Sequence, residues 1–329
     1  MNIAIKLPND LDDRVLSFPF LHTLNKILRT KLEEDEVLNI HLISLSEGID
    51  VLNLLPFNAF YHDVEKEDLK TVFSVHRSCM NLKIDQVDIY ISTTESFVDA
   101  SIGKNLFAKK KIGFSFGKNG WFFSEKVSYL QGRHRSDQIF ELLRPIIDEL
   151  PEIPNVYSRE LSPVFADWNE NPYILINLDL VGEEVNSEWT DFFDLFVNKI
   201  FVLMSSSAPI DLQKDILDEF VKKLSTKNTY KVIEHSSYIE FGKLCSYCLC
   251  FISHDSPLIN ISAYCGTQTF YLQKKDSLEL RGSQYFVGAV RNFSLKDPLF
   301  SHNNEFIFSK IFDELYSFIE EKSKAEISD

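Results

Sequence analysis

The chain has 329 residues, of which 44% are hydrophobic and 25% charged, and its formal net charge is −15. This length suits two domains of about 150 residues each, and the composition is typical of a soluble globular protein. The acidic balance excludes a general nucleic-acid binder, because binding to a nucleic acid polymer requires a basic surface.

The first half of the chain alternates between strand-like and helix-like segments. Strands are predicted at residues 2–7, 37–44, 60–64, 88–92 and 111–116. Helices are predicted at residues 15–31, 69–80, 97–107 and 136–150. This alternation is typical of a mostly parallel sheet with helices on both faces. The chain enters the first strand directly, without a leader sequence, and no apolar run reaches the roughly 20 residues of a membrane span, so we expect a cytoplasmic protein.

Three carboxylates follow the first predicted strand, namely Asp10, Asp12 and Asp13. A carboxylate near a substrate hydroxyl can take its proton, and neighbouring negative charges raise the pKa of such a group towards a useful range, whereas Arg14 has the opposite effect. One of these carboxylates is therefore a candidate general base. The alternative is that Asp12 or Asp13 caps a helix that begins near Arg14.

A basic segment lies between Lys104 and Arg135, where Glu125 is the only acidic residue. A local excess of positive charge in an acidic protein attracts anionic ligands. We expect an anionic ligand to bind here, with contacts from Lys109, Lys110, Lys111, Lys118 and Arg133. The alternative is a solvated run of charges on exposed strand and loop ends.

The second half repeats the alternation after a polar, proline-containing stretch, residues 151–172, which predicts an interdomain linker. Strands are predicted at residues 173–177, 201–205, 230–234, 249–253 and 267–272. Helices are predicted at residues 188–199, 212–224, 238–247, 258–264 and 306–322. We therefore predict an α/β fold with two doubly wound, Rossmann-like domains, 1–160 and 161–329, which face a cleft where ligands bind at the carboxyl ends of the strands.

The five cysteines are an odd number, and Cys245, Cys248 and Cys250 lie close together in the sequence. We interpret them as reduced thiols, because this pattern does not suit a disulfide framework. A zinc site made by these three and Cys265 is the alternative, but the spacing lacks the paired Cys-x-x-Cys form. We expect no metal.

A polar corner, His254-Asp255-Ser256, separates a predicted strand from a predicted helix. Asp255 or Ser256 suits a helix N-cap, and Pro257 suits the first helical turn. Such a corner presents backbone N–H groups and the positive end of a helix dipole, which favour a phosphate. The alternative is an ordinary capped turn that binds nothing.

This corner resembles the donor-site signature of the ADP-heptose:lipopolysaccharide heptosyltransferases, glycosyltransferase family 9, which reads Asn-Asp-Thr-Gly-Leu-Met-His. The positions of its Asn, Asp, Thr, Gly, Leu and final His are taken here by His254, Asp255, Ser256, Pro257, Leu258 and Asn260. Residues 6–16 resemble, without gaps, the family pattern Arg-Leu-Pro-Asn-Trp-Leu-Gly-Asp-Ala-Val-Leu. The Asp of that pattern is the family's proposed catalytic base, and it falls on Asp13.

The basic segment resembles the family as well. Residues 111–114 are similar to its Arg-Ile-Gly-Tyr, residues 117–121 are similar to its Gly-Arg-Gly-Trp, and His134 matches a downstream His. The resemblance implies a GT-B fold, in which the last helix crosses back to the first domain.

The chain also departs from the family pattern. Asp12 replaces the Gly that precedes the base, and Asn186 or Ser187 stands where the family has a lysine near the donor phosphates. The same loop carries four carboxylates that would repel a diphosphate, Asp179, Glu183, Glu184 and Glu188. Glycine is scarce, with 11 residues, and it is missing where the family brings its backbone close to the nucleotide.

The resemblance implies an inverting transferase, independent of metals and cofactors, that moves a heptose from an ADP-sugar to the lipopolysaccharide inner core or a related glycan. Asp13 would be the base, and His134 would join the cations of the basic segment as acceptor contacts. The donor contacts would be Asn9, Ser205, Ser206, Asp255, Ser256, Pro257, Leu258 and Asn260. An anionic glycolipid acceptor also implies peripheral association with the cytoplasmic face of the inner membrane. The departures keep a second hypothesis open, a GT-B paralogue that binds a glycan, nucleotide or protein without turnover.

Overall fold

The computed structural model describes residues 1–33, 36–164, 172–178, 180–181, 184–185, 187–206, 210–234, 237–254, 256–273, 281–303 and 305–326. The chain divides into two compact units. The first unit comprises Met1–Arg159 together with residues 281–285, and the second unit comprises the other described residues.

The first unit contains a six-stranded parallel sheet. Its strands are β1 (Asn2–Lys6), β2 (Asn39–Leu45), β3 (Phe60–Val64), β4 (Ile89–Ser92), β5 (Lys110–Ser115) and β6 (Glu125–Ser128). Its α-helices are α1 (Leu11–Leu16), α2 (Phe18–Lys31), α3 (Val72–Asn81), α4 (Phe97–Asn105) and α5 (Arg135–Phe140). The strands lie in the order β3-β2-β1-β4-β5-β6, so the winding reverses between β1 and β4. Ligands of such sheets bind at this reversal, beyond the carboxyl ends of the strands.

The second unit repeats this plan. Its strands are β7 (Tyr173–Asn177), β8 (Leu180–Val181), β9 (Glu184–Val185), β10 (Ile200–Met204), β11 (Thr229–Val232), β12 (Cys248–Ser253), β13 (Thr269–Gln273), β14 (Val290–Ser294), β15 (Ser301–His302) and β16 (Glu305–Phe306). Its α-helices are α6 (Glu188–Asp194), α7 (Ile210–Val221), α8 (Tyr238–Ser246), α9 (Ser256–Tyr264) and α10 (Phe308–Glu326). The parallel sheet runs β11-β10-β7-β12-β13-β14, with the reversal between β7 and β12.

The two sheets confirm the predicted α/β class with two doubly wound halves. β7 lies at the centre of its sheet, and all five of its residues are buried. The sequence predicts such a strand well, because a parallel strand covered on both faces is a continuous apolar run. The edge strands β6 and β14 were not predicted. Their sequences, EKVS and VRNFS, are mostly polar and half exposed.

The last helix, α10, packs in the core of the second unit. Ile311, Phe312, Leu315 and Ile319 are buried in this core. The Phe312 ring lies 4.9 Å from that of Phe192 on α6. The family resemblance led us to expect this helix on the first domain. Its apolar stripe is instead covered by the aromatic side chains of its own unit.

Candidate functional site

The candidate base lies on α1, which follows β1 at the reversal of the first sheet. The helix starts at Leu11, and its N-cap is Asp10, whose Oδ1 accepts the backbone N–H of Asp13 at 3.3 Å. The alternative in which Asp12 or Asp13 caps this helix is therefore wrong. The predicted helix 15–31 is divided at Ser17, whose hydroxyl donates to the carbonyl oxygen of Arg14 at 2.6 Å.

The Asp13 carboxylate lies between two arginines. Its Oδ2 is 3.1 Å from Nε of Arg135, and its Oδ1 is 3.3 Å from Nε of Arg281. The Asp13 side chain is 11% exposed and that of Arg281 is 43% exposed. Oδ1 is buried although the Arg281 side chain beside it is exposed, so the solvent-accessible group next to the carboxylate is Arg281.

Burial raises the pKa of Asp13 above its ordinary value, and the charges of Asp10 and Glu95 act in the same direction. Arg135 and Arg281 oppose this shift, because a nearby positive charge favours the ionised carboxylate. A carboxyl group with a raised pKa at a sheet reversal is a candidate for acid–base chemistry. It is a better proton acceptor than an ordinary surface aspartate.

Arg135 is held by several groups at once. Its Nη1 donates to Glu95 Oε1 at 2.5 Å and to Gln138 Oε1 at 3.2 Å, and its Nη2 donates to the carbonyl oxygen of Thr93 at 3.2 Å. Thr93 and Glu95 follow β4, while Arg135 begins α5. These bonds therefore fix the guanidinium that faces Asp13 to the neighbouring strand of the reversal.

A buried lysine supports the loop below α1. Lys6 ends β1, is fully buried, and donates from Nζ to the carbonyl oxygen of Leu7 at 2.6 Å and to Asn9 Oδ1 at 2.7 Å. Asp99 Oδ2 lies 3.9 Å from the same nitrogen. Burial lowers the pKa of Lys6 to about 8. The side chain of Asn9, a predicted donor contact, is thus already engaged in holding this loop.

Arg14 clamps the same loop through backbone groups. Its guanidinium donates to the carbonyl oxygens of Pro8, Asn9 and Glu47 at 3.3, 3.2 and 2.9 Å. It is 1% exposed, and it is not among the causes of the shifted pKa of Asp13. The positive charges that act on Asp13 therefore come from distant parts of the sequence rather than from its neighbour.

Residues 281–285 bring Arg281 to this site. His134 accepts the N–H of Ser136 on Nδ1 at 3.3 Å, so its Nε2–H donates to the carbonyl oxygen of Gly282 at 2.8 Å. The Tyr285 hydroxyl donates to Asp137 Oδ1. His134 is 6% exposed, and burial lowers its pKa. This histidine, predicted as an acceptor contact, therefore caps α5 and anchors the segment of Arg281.

The basic segment does not form one patch. In the register of the parallel sheet, Lys110 of β5 lies opposite Ile89 of β4, which lies opposite Ile3 of β1. Ile3 precedes Lys6, the last residue of β1, by three residues. This separation is roughly 10 Å along the strands, and Asp13 lies still further on. Lys109, Lys110 and Lys111 thus lie at the amino end of β5, where their Nζ atoms contact Asp88 Oδ1 and the carbonyl oxygens of Pro145 and Ala108, respectively.

Two members of the basic segment do lie at the carboxyl end of the sheet. Lys118 is in the loop after β5, with Nζ 6.0 Å from the ring centre of Trp121, whose side chain is 78% exposed. Asn119 of the same loop donates from Nδ2 to the carbonyl oxygen of Glu95. Arg133 lies just before α5, half exposed, with Nη1 3.7 Å from Glu141 Oε1. The structure therefore brings Lys118 and Arg133 to the Asp13 edge.

In the second unit, one asparagine connects three strand ends. Asn177 ends β7, is 2% exposed, and donates from Nδ2 to the hydroxyls of Ser206 and Ser253, both at 2.9 Å. Its Oδ1 accepts the backbone N–H of Ser206 at 2.9 Å. The ends of β10 and β12 are thereby held on either side of β7, at the reversal of this sheet. Ser205, a predicted donor contact, is fully buried beside them.

Helix α9 follows at the same end of β12. It starts at Ser256, so Ser256 is the first helical residue and not the cap. Pro257 has no N–H to offer a ligand. The side chains of Leu258 and Asn260 are 2% and 1% exposed, so their predicted donor contacts are available only through the backbone. Asp255 lies outside the described residues.

The cysteines are free thiols. Burial raises the pKa of the Cys245 and Cys248 thiols well above the ordinary value, so they stay protonated. In the described part of the chain, no three His, Cys, Asp or Glu side chains are grouped as ligands for a metal ion. None of the helices in the described ranges combines the length and hydropathy that a membrane span requires.

The sequence matches no protein-family model, and no curated protein is recognisably similar to it. Solved structures do match. A glycosyl transferase family 9 protein from Veillonella parvula DSM 2008 has a TM-score of 0.71 at 16% identity and covers 97% of each chain. E. coli heptosyltransferase WaaC with ADP has a TM-score of 0.70 at 13% identity and covers 98% of this chain and 100% of its own.

A third solved structure, E. coli ADP-heptose lps heptosyltransferase II, has a TM-score of 0.67 at 12% identity, with 98% of this chain and 100% of that chain covered. At these identities the similarity establishes the fold. The chain therefore has the GT-B fold of the heptosyltransferase structures over almost its whole length.

Proposed function

We propose that this protein is a glycosyltransferase that transfers a sugar from a nucleotide donor to an anionic glycan acceptor, with Asp13 as general base. The observation that carries the proposal is the Asp13 carboxylate, which is buried at the reversal of the first sheet and has a raised pKa. The shared fold with transferase structures supports it.

The reaction needs one proton transfer. As the acceptor hydroxyl oxygen bonds to the anomeric carbon of the donor sugar, its proton passes to Asp13, and the bond from that carbon to the leaving phosphate breaks. The nucleoside diphosphate departs with the bonding electrons, and attack opposite to it inverts the anomeric centre. No metal or cofactor is required. Arg135 keeps the carboxylate in place, and the hydroxyl reaches it by displacing the exposed side chain of Arg281, which covers Oδ1.

The second unit is the proposed donor site. Two observations support this assignment. Asn177 holds the neighbouring strand ends together, and α9 starts at the same end of the sheet. The backbone N–H groups and the dipole at the start of a helix favour a diphosphate. Ser206 lies at the same strand ends, with its hydroxyl bonded to Asn177. An ADP-sugar, with heptose as the sugar, is the donor that the resemblance favours. WaaC, which shares the fold, was solved with ADP.

The proposed acceptor contacts are Lys118, Arg133 and the exposed ring of Trp121. All three lie at the carboxyl edge of the first sheet, as Asp13 does. Lys118 beside the exposed ring of Trp121, with Arg133 at the same sheet edge, suits a phosphorylated or acidic sugar, because the charges attract the anion and the ring covers an apolar sugar face. The inner core of lipopolysaccharide has this chemistry.

A second candidate is a GT-B paralogue that binds a nucleotide or glycan without turnover. The observation in its favour is that both carboxylate oxygens of Asp13 lie within 3.3 Å of a guanidinium nitrogen. A doubly paired carboxylate also suits a structural role.

The deciding experiment measures ADP release from ADP-heptose in the presence of a heptose-free lipopolysaccharide core acceptor. We expect acceptor-dependent ADP release in the wild type. In parallel, melting temperatures with ADP, UDP and GDP report nucleotide binding, because a ligand of the folded state raises the melting temperature. A shift with ADP but no release with any core acceptor would favour the second candidate. The absence of any nucleotide shift would remove the donor assignment.

A further inference from the structure

The two arginines beside Asp13 are held in different ways. The Arg135 side chain is 9% exposed, and its Nη1 and Nη2 donate to Glu95 and to the carbonyl oxygen of Thr93. The Arg281 side chain is 43% exposed. One guanidinium is therefore fixed within the protein, whereas the other can exchange its contact with the carboxylate for a contact with a ligand.

The backbone that carries Arg281 is anchored to the first unit. The carbonyl oxygen of Gly282 accepts Nε2–H of His134 at 2.8 Å. The carbonyl oxygen of Tyr285 accepts the backbone N–H of Val156 at 2.9 Å. These bonds fix the main chain that follows Arg281. A ligand can thus displace the Arg281 side chain by rotation about the bonds of that side chain, while the segment stays in place.

The contact between Arg281 and Asp13 covers the carboxylate without completing its hydrogen bonds. Nε of Arg281 lies 3.3 Å from Oδ1, and this buried oxygen accepts no hydrogen bond from the described residues. A buried acceptor without a hydrogen bond is unfavourable, and the hydroxyl of a substrate would supply the missing bond. The new hydrogen bond therefore offsets part of the attraction that is lost when Arg281 moves away.

The displaced guanidinium stays beside the reacting hydroxyl, because its backbone does not move. A guanidinium binds a carboxylate or a phosphate through two parallel hydrogen bonds. Attack that inverts the anomeric carbon leaves the departing diphosphate on the opposite side of that carbon from the hydroxyl and its base. An anion within reach of Arg281 thus belongs to the acceptor rather than to the donor.

We propose that Arg281 is a displaceable cover of the base Asp13, which the acceptor removes by offering the guanidinium an anion of its own. The acceptor then has a carboxylate or a phosphate next to the hydroxyl that reacts, which is more specific than a negative charge elsewhere in the glycan. A neutral acceptor offers no such exchange and meets a covered base. This inference rests on the proposed transfer reaction and specifies its acceptor.

The test compares initial rates of transfer to three acceptors, at a pH on the plateau of the pH–rate profile. They are a heptose-free lipopolysaccharide core, the same core with its carboxylates reduced to alcohols, and the same core without its phosphates. In the wild type, one of the two derivatives should react at least ~10-fold more slowly than the intact core, because a charge-assisted bidentate contact is lost. The derivative that reacts more slowly identifies the anion.

Arg281→Gln should reduce this discrimination at least ~5-fold, because the neutral amide no longer favours the anion. With the slower derivative, this variant should also react faster than the wild type, since Oδ1 is no longer covered. A faster reaction is not expected from a residue that only supports the fold. Arg281→Ala should behave as the glutamine variant does, and Arg281→Lys should keep the discrimination.

Lys109→Gln is the matched control, because it removes an exposed cation at the other edge of the same sheet. Its discrimination should equal that of the wild type. Equal discrimination in the wild type and Arg281→Gln, or none in the wild type, would overturn the inference and leave the proposed function standing.

A second measurement, isothermal titration of the three acceptors without donor, does not depend on turnover. If the wild type transfers sugar to no acceptor, the proposed function fails, and the titration alone decides the inference. A preference for the intact core that Arg281→Gln loses would support the inference, and a preference that the variant keeps would overturn it.

Discussion

The Nε atom of Arg281 lies 3.3 Å from Oδ1 of Asp13, while Arg135 contacts the other carboxylate oxygen. The pairing makes the proton affinity of Asp13 a balance between burial, which raises its pKa, and two positive charges, which lower it. The first two predictions follow from this balance.

Replacement of Asp13 by asparagine tests its role as the base. Asparagine keeps the shape of the side chain but cannot take a proton, so we expect transfer to fall by at least ~10²-fold. The melting temperature should not fall, because Asp10 caps the helix and burial already disfavours the charge on Asp13. The measurement is initial rate together with thermal unfolding. Wild-type transfer by this variant would move the base elsewhere, with Asp10 and Asp12 the next residues to replace.

Replacement of Arg281 by glutamine should shift the acid side of the pH–rate profile. The base must be ionised, so the rate rises with pH through the pKa of Asp13. Loss of a positive charge that lowers this pKa should move the rise to higher pH. Arg281→Lys keeps the charge and is the matched control, with a profile close to that of the wild type. An unchanged profile in the glutamine variant would show that Arg281 does not act on the titrating group.

Replacement of Asn177 by aspartate tests the donor site. An aspartate can accept hydrogen bonds from the hydroxyls of Ser206 and Ser253, so the strand ends stay connected, but it adds a negative charge where we place the diphosphate. We expect ADP binding to weaken by at least ~10-fold, because like charges repel strongly in a partly buried site. Binding of uncharged adenosine should change much less. If ADP and adenosine weaken equally, the variant has disturbed the fold, and if neither weakens, the diphosphate does not bind there.

Removal of positive charge should separate the two ends of the basic segment. Lys118→Gln/Arg133→Gln should weaken binding of an anionic acceptor by about 10-fold and reduce its salt dependence, because these cations lie at the Asp13 edge. Lys109→Gln/Lys110→Gln changes the charge equally at the other edge of the sheet, and we expect acceptor binding near that of the wild type. Isothermal titration at two salt concentrations measures both. A larger loss in the second variant would restore the patch predicted from the sequence.

The buried Lys6 should make stability depend on pH. Its pKa is about 8 in the folded protein, against a reference value of 10.5. Between these values the unfolded chain binds a proton that the folded protein does not, so the contribution of Lys6 to the free energy of unfolding rises with pH across this window. Urea unfolding of the wild type and of Lys6→Met at several pH values from 7.5 to 10.5 isolates the effect. A difference between the two proteins that is constant with pH would contradict the lowered pKa.

The sequence was sufficient for the central strands and for the edge strands β3 and β11, but not for the edge strands β6 and β14. β1 and β7 are continuous apolar runs because both faces of each strand are covered, and they were predicted within one or two residues. β6 contains one apolar residue and β14 contains two, and neither strand alternates apolar with polar residues. Such a composition is possible because an edge strand is covered by fewer neighbours. Their pairing depends on the sheet that precedes them rather than on their own composition.

The candidate site shows the same limit. The acidic corner after the first strand followed from the chain, because ligands of a doubly wound sheet bind beyond its strand ends, and the family resemblance selected Asp13 within it. Its partners did not, since Arg135 and Arg281 are distant in sequence and their own neighbourhoods carry no signal of an ion pair. The basic segment does not form one patch, although Lys110 and Lys118 are close in sequence. Lys110 begins β5 and Lys118 follows its end, so the length of this strand separates them.

The attachment of residues 281–285 to the first unit has a consequence for experiments that divide the protein. A fragment that ends at Arg159 contains Asp13, Arg135 and His134, but it lacks Arg281 and the Gly282 carbonyl to which His134 donates. Its carboxylate would have lost one of its two guanidinium partners. A chimera that joins the first half of one relative to the second half of another would likewise combine the base of one protein with the arginine of the other. Part of the chemistry of the first unit is therefore encoded downstream of the central strands of the second sheet.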